Sequence, residues 1–190
     1  MRFHSLLLSV LLLSVSALTS AGTPAAEGPL PPLVITDRGE LLLENDDFSY
    51  APWSAEKNPG KVHIVQYFGA TRGDSKLFQP FTDLLRETFG DGKYHVTTII
   101  NLDAALWGTS GLVVSELQDS KRKFPNSTMV LDEEGSGVTE WQLGKQGTGL
   151  VILDPKGTVL YFTQDALNEQ DMTQSVELVR EQIEACLKFC

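Results

Sequence analysis

Apolar residues in this chain fall mostly in short β-branched or aromatic blocks, and the 3.6-residue recurrence of a helix is confined to three stretches. Leu33 to Thr36 and Glu40 to Leu43 flank Asp37-Arg38-Gly39, which predicts a short hairpin turning at those three residues. Lys61 to Phe68 predicts a buried strand, Tyr94 to Asn101 a second and Thr128 to Leu131 a third. Leu150 to Leu153 and Thr158 to Phe162 flank Asp154-Pro155-Lys156-Gly157, a strong hairpin signal. Helical stripes run from Leu77 to Phe89, from Leu112 to Phe124 and from Met172 to Leu187; the first stops at Gly90 and carries Pro80, which predicts a kink. The order is β-hairpin, β, α, β, α, β, β, β, α: an α/β domain with helices flanking a central mixed sheet and an N-terminal hairpin.

The first residues follow a different rule. Arg2 precedes an apolar run from Leu6 to Leu18, and small residues follow at Thr19, Ser20 and Ala21. This pattern predicts a secretory signal peptide over residues 1–21, cleaved after Ala21, with no stable membrane anchor afterwards. Residues 22–32 combine proline, glycine and small residues without periodicity and predict an extended lead-in, so the folded domain is expected over 33–190. The chain has 190 residues and a formal charge of −10. Loss of the leader removes only Arg2 among the charges. An exported acidic chain of this kind is a poor match for a nucleic-acid partner.

Only two cysteines occur, Cys186 and Cys190, which excludes a disulfide scaffold, a multi-cysteine zinc site and a cysteine-ligated iron-sulfur cluster. They lie four apart at the end of the last helix. A disulfide there requires the helix end to fray, and the alternatives are an intermolecular bridge or apolar filler. No metal or other cofactor is expected. Glu44-Asn45-Asp46-Asp47 and Asp132-Glu133-Glu134 lack the spacing of a calcium loop and read as solvated acidic turns. His63 and His95 lie in predicted strands and form no triad that the sequence supports. Trp107, Trp141 and Tyr161 read as core or rim packing, and Asn126-Ser127-Thr128 is a sequon of consequence only in a eukaryotic secretory pathway.

The element order resembles the thioredoxin-like superfamily, in particular exported thiol-disulfide oxidoreductases and peroxiredoxins. In those enzymes a cysteine pair sits between a buried strand and a helix, followed at once by a lysine and four residues later by a proline. Here Tyr67-Phe68 lead into Gly69-Ala70-Thr71, then Arg72-Gly73-Asp74-Ser75, then Lys76 and Pro80. Lysine and proline are in place, but Arg72 and Ser75 stand where the cysteines would be, and Thr148 stands where the resemblance would place a cis-proline. More narrowly, Ile35 to Leu41, Phe48-Ser-Tyr50, Gly60-Lys-Val62, Thr97-Thr-Ile99 and Trp141-Gln-Leu143 resemble the YtfJ family of bacterial periplasmic proteins. That resemblance implies a thioredoxin-like fold, a periplasmic location and no settled activity.

Two functional expectations follow. The first is a redox-inactive binding or interaction module. Thr71, Arg72, Gly73, Asp74 and Ser75, with Thr148 opposite, would contact a periplasmic protein or a small anion, because strand-end loops preceding helices present ligand groups. The Trp107 to Gly111 loop is the next candidate, and no residue is assigned as catalytic. The second is an enzyme using the same cleft with non-thiol chemistry, or an unconventional thiol-disulfide or peroxide-reducing protein. The plainer reading of the Thr71 to Ser75 loop is a helix cap, with Asp74 or Ser75 accepting first-turn amides.

Overall fold

The computed structural model describes residues 21–189 apart from 58, 72 and 91. The elements are β1 (Val34–Glu44), β2 (Asp47–Ser54), β3 (Val62–Gly69), a 3-10 turn (Asp74–Lys76), α1 (Gln79–Phe89), β4 (Tyr94–Asn101), α2 (Ser110–Lys123), β5 (Thr128–Asp132), α3 (Ser136–Glu140), β6 (Gly149–Leu153), β7 (Val159–Thr163) and α4 (Glu169–Phe189). The seven strands form one sheet in the order β2-β1-β5-β4-β3-β6-β7. β3, β4 and β5 are parallel to one another, whereas β1, β2, β6 and β7 join antiparallel.

Side-chain alternation on β3 separates two cores. Val62, Ile64 and Phe68 face a layer holding Phe81 and Leu85 of α1, Leu117 of α2, and Val179 and Ile183 of α4. Val65 and Tyr67 face Leu33, Trp53, Trp141 and Leu143 on the opposite side. Because both faces are covered, the central strand is buried along almost its whole length and reads as a near-continuous apolar run. The segment 22–32 has no helix or strand of its own but is tied to the sheet. The Val159 N–H donates to the Gly28 carbonyl (2.8 Å), and the Trp141 indole donates to the Pro31 carbonyl (2.9 Å).

The N-terminal hairpin is present, but it does not turn at Asp37-Arg38-Gly39. β1 continues through those residues with a register shift between Ile35 and Glu40, and the reversal occurs at Asn45 and Asp46, both at positive φ (51° and 67°). Gly39 (φ 74°) serves the bulge, where any Cβ would collide with the Ala51 carbonyl. Across the bulge, Gly39 and Glu40 pair with Leu131 and Val130 of β5, and the Asp37 carboxylate accepts the Glu133 N–H at 2.6 Å. The Glu44 to Asp47 stretch read as an acidic turn is thus the hairpin loop itself. Two consecutive left-handed residues favour Asn-Gly, so Asp46→Gly is expected to raise unfolding free energy by about 0.5 kcal/mol, measured by urea denaturation.

The predicted kink at Pro80 is also absent. α1 begins at Gln79, so Pro80 lies in the first turn, where its missing N–H interrupts no helical bond. The helix ends as expected at Gly90, whose N–H donates to the Arg86 carbonyl at 2.9 Å.

α3 was not anticipated from the sequence. Asp132, in a stretch expected to be solvated, is fully buried and holds this helix: Oδ1 accepts the Ser136 N–H (2.9 Å), and Oδ2 accepts the Gly137 N–H (2.9 Å) and the Tyr67 hydroxyl (2.8 Å). Gly137 lies so close to the Tyr67 ring that a Cβ would overlap it.

Candidate functional site

The parallel strands β3, β4 and β5 end together at Gly69, Asn101 and Asp132, and the loops beyond them form one end of the sheet. Asn101 ties two of these loops down. Its carbonyl accepts the Ala70 N–H (2.9 Å), and its side-chain oxygen accepts the Asp103 N–H (2.9 Å). The third loop is joined to the second by the Leu102 N–H, which donates to the Asp132 carbonyl (2.8 Å).

The segment after β3 folds back at once. The Thr71 N–H donates to the Gly69 carbonyl (2.8 Å), the Asp74 N–H donates to Thr71 Oγ1 (3.2 Å), and the Ser75 N–H donates to the Thr71 carbonyl (3.1 Å). Thr71 thus accepts an amide at the start of the short 3-10 turn, whose N-cap residue is Gly73 and has no side-chain cap. α1 itself receives no side-chain cap. The Asp74 carboxylate turns toward the strand end, 2.8 Å from where a Cβ on Gly69 would stand. Gly73 and Ser75 are exposed, while Thr71 and Asp74 are half-buried. Arg72 lies outside the described residues.

Thr148 immediately precedes β6, whose Gly149 pairs with Tyr67, so it sits at this same end of the sheet. The residue is 2% exposed and its hydroxyl donates to the Gln164 carbonyl at 2.7 Å. With its hydroxyl hydrogen-bonded within the domain and the whole residue buried, Thr148 presents almost nothing to solvent. No cis peptide bond occurs among the described residues.

The loop between β4 and α2 adds what the residue pattern concealed. Trp107, expected to pack in the core or at its rim, is fully exposed, and Leu106 and Leu112 beside it are 73% and 67% exposed. Trp141 does occupy the core, and Tyr161 is half-buried at its edge. Isolated apolar side chains on a surface are ordinary, but three within seven residues, one of them tryptophan, make a patch. Gly108, at φ 79°, lies beside Trp107 and holds this part of the chain in a turn.

The two histidines lie elsewhere, on the face carrying Val65 and Tyr67. His63 is buried with Nε2 2.8 Å from Thr97 Oγ1, and the His95 ring lies 5.1 Å from it. Burial, then the neighbouring His95, lowers the His63 pKa to about 3. His95 is also lowered, chiefly by burial, with Lys61 and Lys121 pushing the same way and Glu40 opposing. Both rings lie near the N-terminal ends of β3 and β4, at the opposite end of the sheet from the loops described above, and the His95 Nε2 lies 3.0 Å from Thr128 Oγ1. Among the described residues, no group of three His, Cys, Asp or Glu side chains is placed to hold a metal ion. Cys186 is half-buried on α4, and Cys190 lies outside the described residues.

Sheet order, the parallel β3-α1-β4 unit and the antiparallel β6-β7 hairpin define a thioredoxin-like fold, and solved structures agree. A putative protein disulfide isomerase from Bacteroides thetaiotaomicron superposes with a TM-score of 0.56 at 16% identity, covering 87% of this chain and 94% of that one. A putative thiol:disulfide interchange protein DsbE from Chlorobium tepidum gives 0.53 at 14% identity, covering 87% and 99%. At such identities the likeness is one of fold. The family is narrower: residues 25–182 match the family described as "Bacterial protein of unknown function (YtfJ_HI0045)", and the chain belongs to it. Relatives include the uncharacterized protein YtfJ of Escherichia coli strain K12, 33% identical over 152 residues, covering 80% of this chain and 83% of that one. An uncharacterized Haemophilus influenzae protein is 28% identical over 165 residues, covering 86% and 90%.

Proposed function

We propose that this chain is an exported, redox-inactive thioredoxin-like module that binds a partner protein through the strand-end surface. The reading is carried by the fully exposed Trp107, with Leu106 and Leu112, at the end of the sheet where Thr71, Gly73, Asp74 and Ser75 also emerge. Tryptophan is enriched among residues that dominate binding energy, and a large exposed apolar group on a domain with two well-filled cores serves no folding purpose. Supporting it, both cysteines lie at the far C-terminus, so the strand-end loop has no thiol to form a mixed disulfide. Thr71, Gly73, Asp74 and Ser75 supply polar groups at the rim of this surface, and Thr148 shapes it from beneath. The apolar leader, which lies outside the described residues, supports export to the periplasm. No helix among the described residues is long and apolar enough to cross a membrane.

The test uses the mature chain as bait in periplasmic extract, followed by measurement of the recovered partner's affinity. Trp107→Ala is expected to weaken that affinity at least tenfold, with Leu112→Ser adding to the loss, while circular dichroism stays unchanged. Equal affinity in the double variant would place the partner surface elsewhere. In the same preparation insulin reduction by dithiothreitol is expected to proceed at its uncatalysed rate. Catalysis would overturn the redox-inactive reading.

A further inference from the structure

Beyond the C-terminal ends of β3 and β4, against α3, lies a cavity of about 290 Å³. That is the lower limit of the roughly 300–1,000 Å³ of small-molecule sites, so only a small occupant fits. Four segments enclose it: the end of β3 at Gly69, the β4-α2 loop at Asp103, the turn into α3 at Glu134 and the α3-β6 loop at Lys145. Asn101 forms the floor and is 6% exposed. Its Oδ1 accepts the Asp103 N–H at 2.9 Å, which fixes the orientation of the amide and turns Nδ2 the other way. Nδ2 donates to no described residue. Yet no fully enclosed side-chain nitrogen or oxygen among the described residues lacks a partner, so this NH2 group opens onto the cavity. Gly135 leaves it room, since a Cβ there would stand 3.2 Å from Nδ2.

Above this donor the rim carries charge of both signs. Asp103 and Glu134 are exposed carboxylates and Lys145 is an exposed ammonium, and no ion pair among the described residues includes any of the three. Glu133, next to Glu134, is by contrast paired with Arg38. The Asp74 carboxylate adds to the negative side, because it approaches the cavity wall at Gly69. Donors and acceptors that are satisfied within a fold define no ligand. Here a buried amide and three charged side chains, brought together from separate loops, are left without partners in the chain.

We propose that this cavity binds a free α-amino acid with a small side chain, as its zwitterion: the carboxylate accepts from Asn101 Nδ2 and Lys145, and the ammonium donates to Asp103 and Glu134. A simple anion would meet two carboxylates at the entrance. A metal cation would meet N–H hydrogens at the floor and an ammonium at the rim. An apolar ligand would leave the Asn101 donor dry. A molecule bearing both charges a few bonds apart answers every group, and hydrogen bonds to ionised groups are roughly twice as strong as neutral ones. The small volume, with Val138 of α3 on one wall, restricts the side chain. This inference does not depend on the protein-binding reading above, because Leu106, Trp107 and Leu112 lie outside the cavity lining.

The experiment is a titration of the isotope-labelled mature chain with L-alanine, read by NMR at the side-chain NH2 signals of Asn101 and by calorimetry. L-Alanine at millimolar concentrations is expected to shift those signals saturably. N-acetylalanine lacks the ammonium, alaninamide the carboxylate and glycine betaine the N–H donors, and each should bind at least tenfold more weakly. Asn101→Asp keeps the acceptor for the Asp103 amide but puts an oxygen where the donor stood, and should abolish binding. If that variant fails to fold, Lys145→Glu on the exposed loop replaces it with the same expectation. Asp103→Asn with Glu134→Gln should remove the preference for L-alanine over N-acetylalanine. Absence of a saturable shift, equal affinity for any of the three analogues in the unaltered chain, or undiminished binding in the folded Asn101 or Lys145 variant would each overturn the assignment.

Discussion

Asp132→Ala is expected to destabilise the domain by about 4 kcal/mol, a large share of the roughly 5–15 kcal/mol available to a fold of this size. The side chain is fully buried and serves three donors from two elements: the Tyr67 hydroxyl and the Ser136 and Gly137 amides. Alanine strands all three, at about 1–3 kcal/mol for each donor left dry, and leaves α3 without its anchor. Burial, then the Asp132 carboxylate, raises the Tyr67 pKa above its ordinary value, so the phenol is a donor at every pH at which the protein is folded. Tyr67→Phe removes only one of the three bonds and is expected to cost about 1 kcal/mol, since the carboxylate keeps its amide partners. Urea denaturation of both variants checks the ordering. Equal losses would show that the Tyr67 hydroxyl alone accounts for the effect and that the helix anchor contributes nothing.

The same residue shows where sequence reasoning reaches its limit. β3, β4, β5 and the β6-β7 hairpin could be read from local chemistry: β-branched and aromatic runs, and a Pro-Lys-Gly turn in which Asp154 Oδ1 accepts the Lys156 and Thr158 amides, both at 2.8 Å. α3 has five residues, too few for a helical period to register, and its stability comes from a carboxylate on the preceding strand. An acidic run after a strand ordinarily faces solvent, and nothing local distinguishes Asp132 from Glu133 and Glu134. What distinguishes it is the tyrosine from β3 that meets it, a contact across sixty-five positions.

The hairpin turn failed for a related reason. Asp37-Arg38-Gly39 and Asn45-Asp46 both carry turn chemistry, and the choice between them was made by β5, which pairs with Gly39 and Glu40 and thereby keeps β1 extended. At the candidate site, Lys76 and Pro80 placed the loop correctly, because a strand ending at Gly69 and a helix beginning at Gln79 leave it little freedom. The exposure of Trp107 was hidden because burial is the default for a large aromatic residue.

Stability of the domain is expected to fall steeply as the medium is acidified below about pH 6.5, with His63 as a principal cause. In the native state its ring is buried between strands, paired in register with His95 on β4 and Leu153 on β6, and its pKa is lowered to about 3. The unfolded chain returns it to its ordinary value near 6.5, so between those limits the unfolded state binds a proton that the native state refuses. The sign follows directly: the stability is fully present above pH 6.5 and is lost on the way down to pH 3, at about 1.4 kcal/mol per pH unit for this one group. His95 lies 5.1 Å away with its own pKa lowered, and adds to the slope in the same direction. Protonating one ring raises the cost of protonating the other, so the two titrate as a coupled pair. His63→Gln keeps a partner for the Thr97 hydroxyl at this position while removing the titration. Urea denaturation at intervals from pH 7 to pH 4 should therefore show the variant less stable at neutral pH, yet with a flatter acid limb. Parallel limbs in the two proteins would mean that His63 takes up its proton without unfolding, and would remove the buried pair as the source of acid sensitivity.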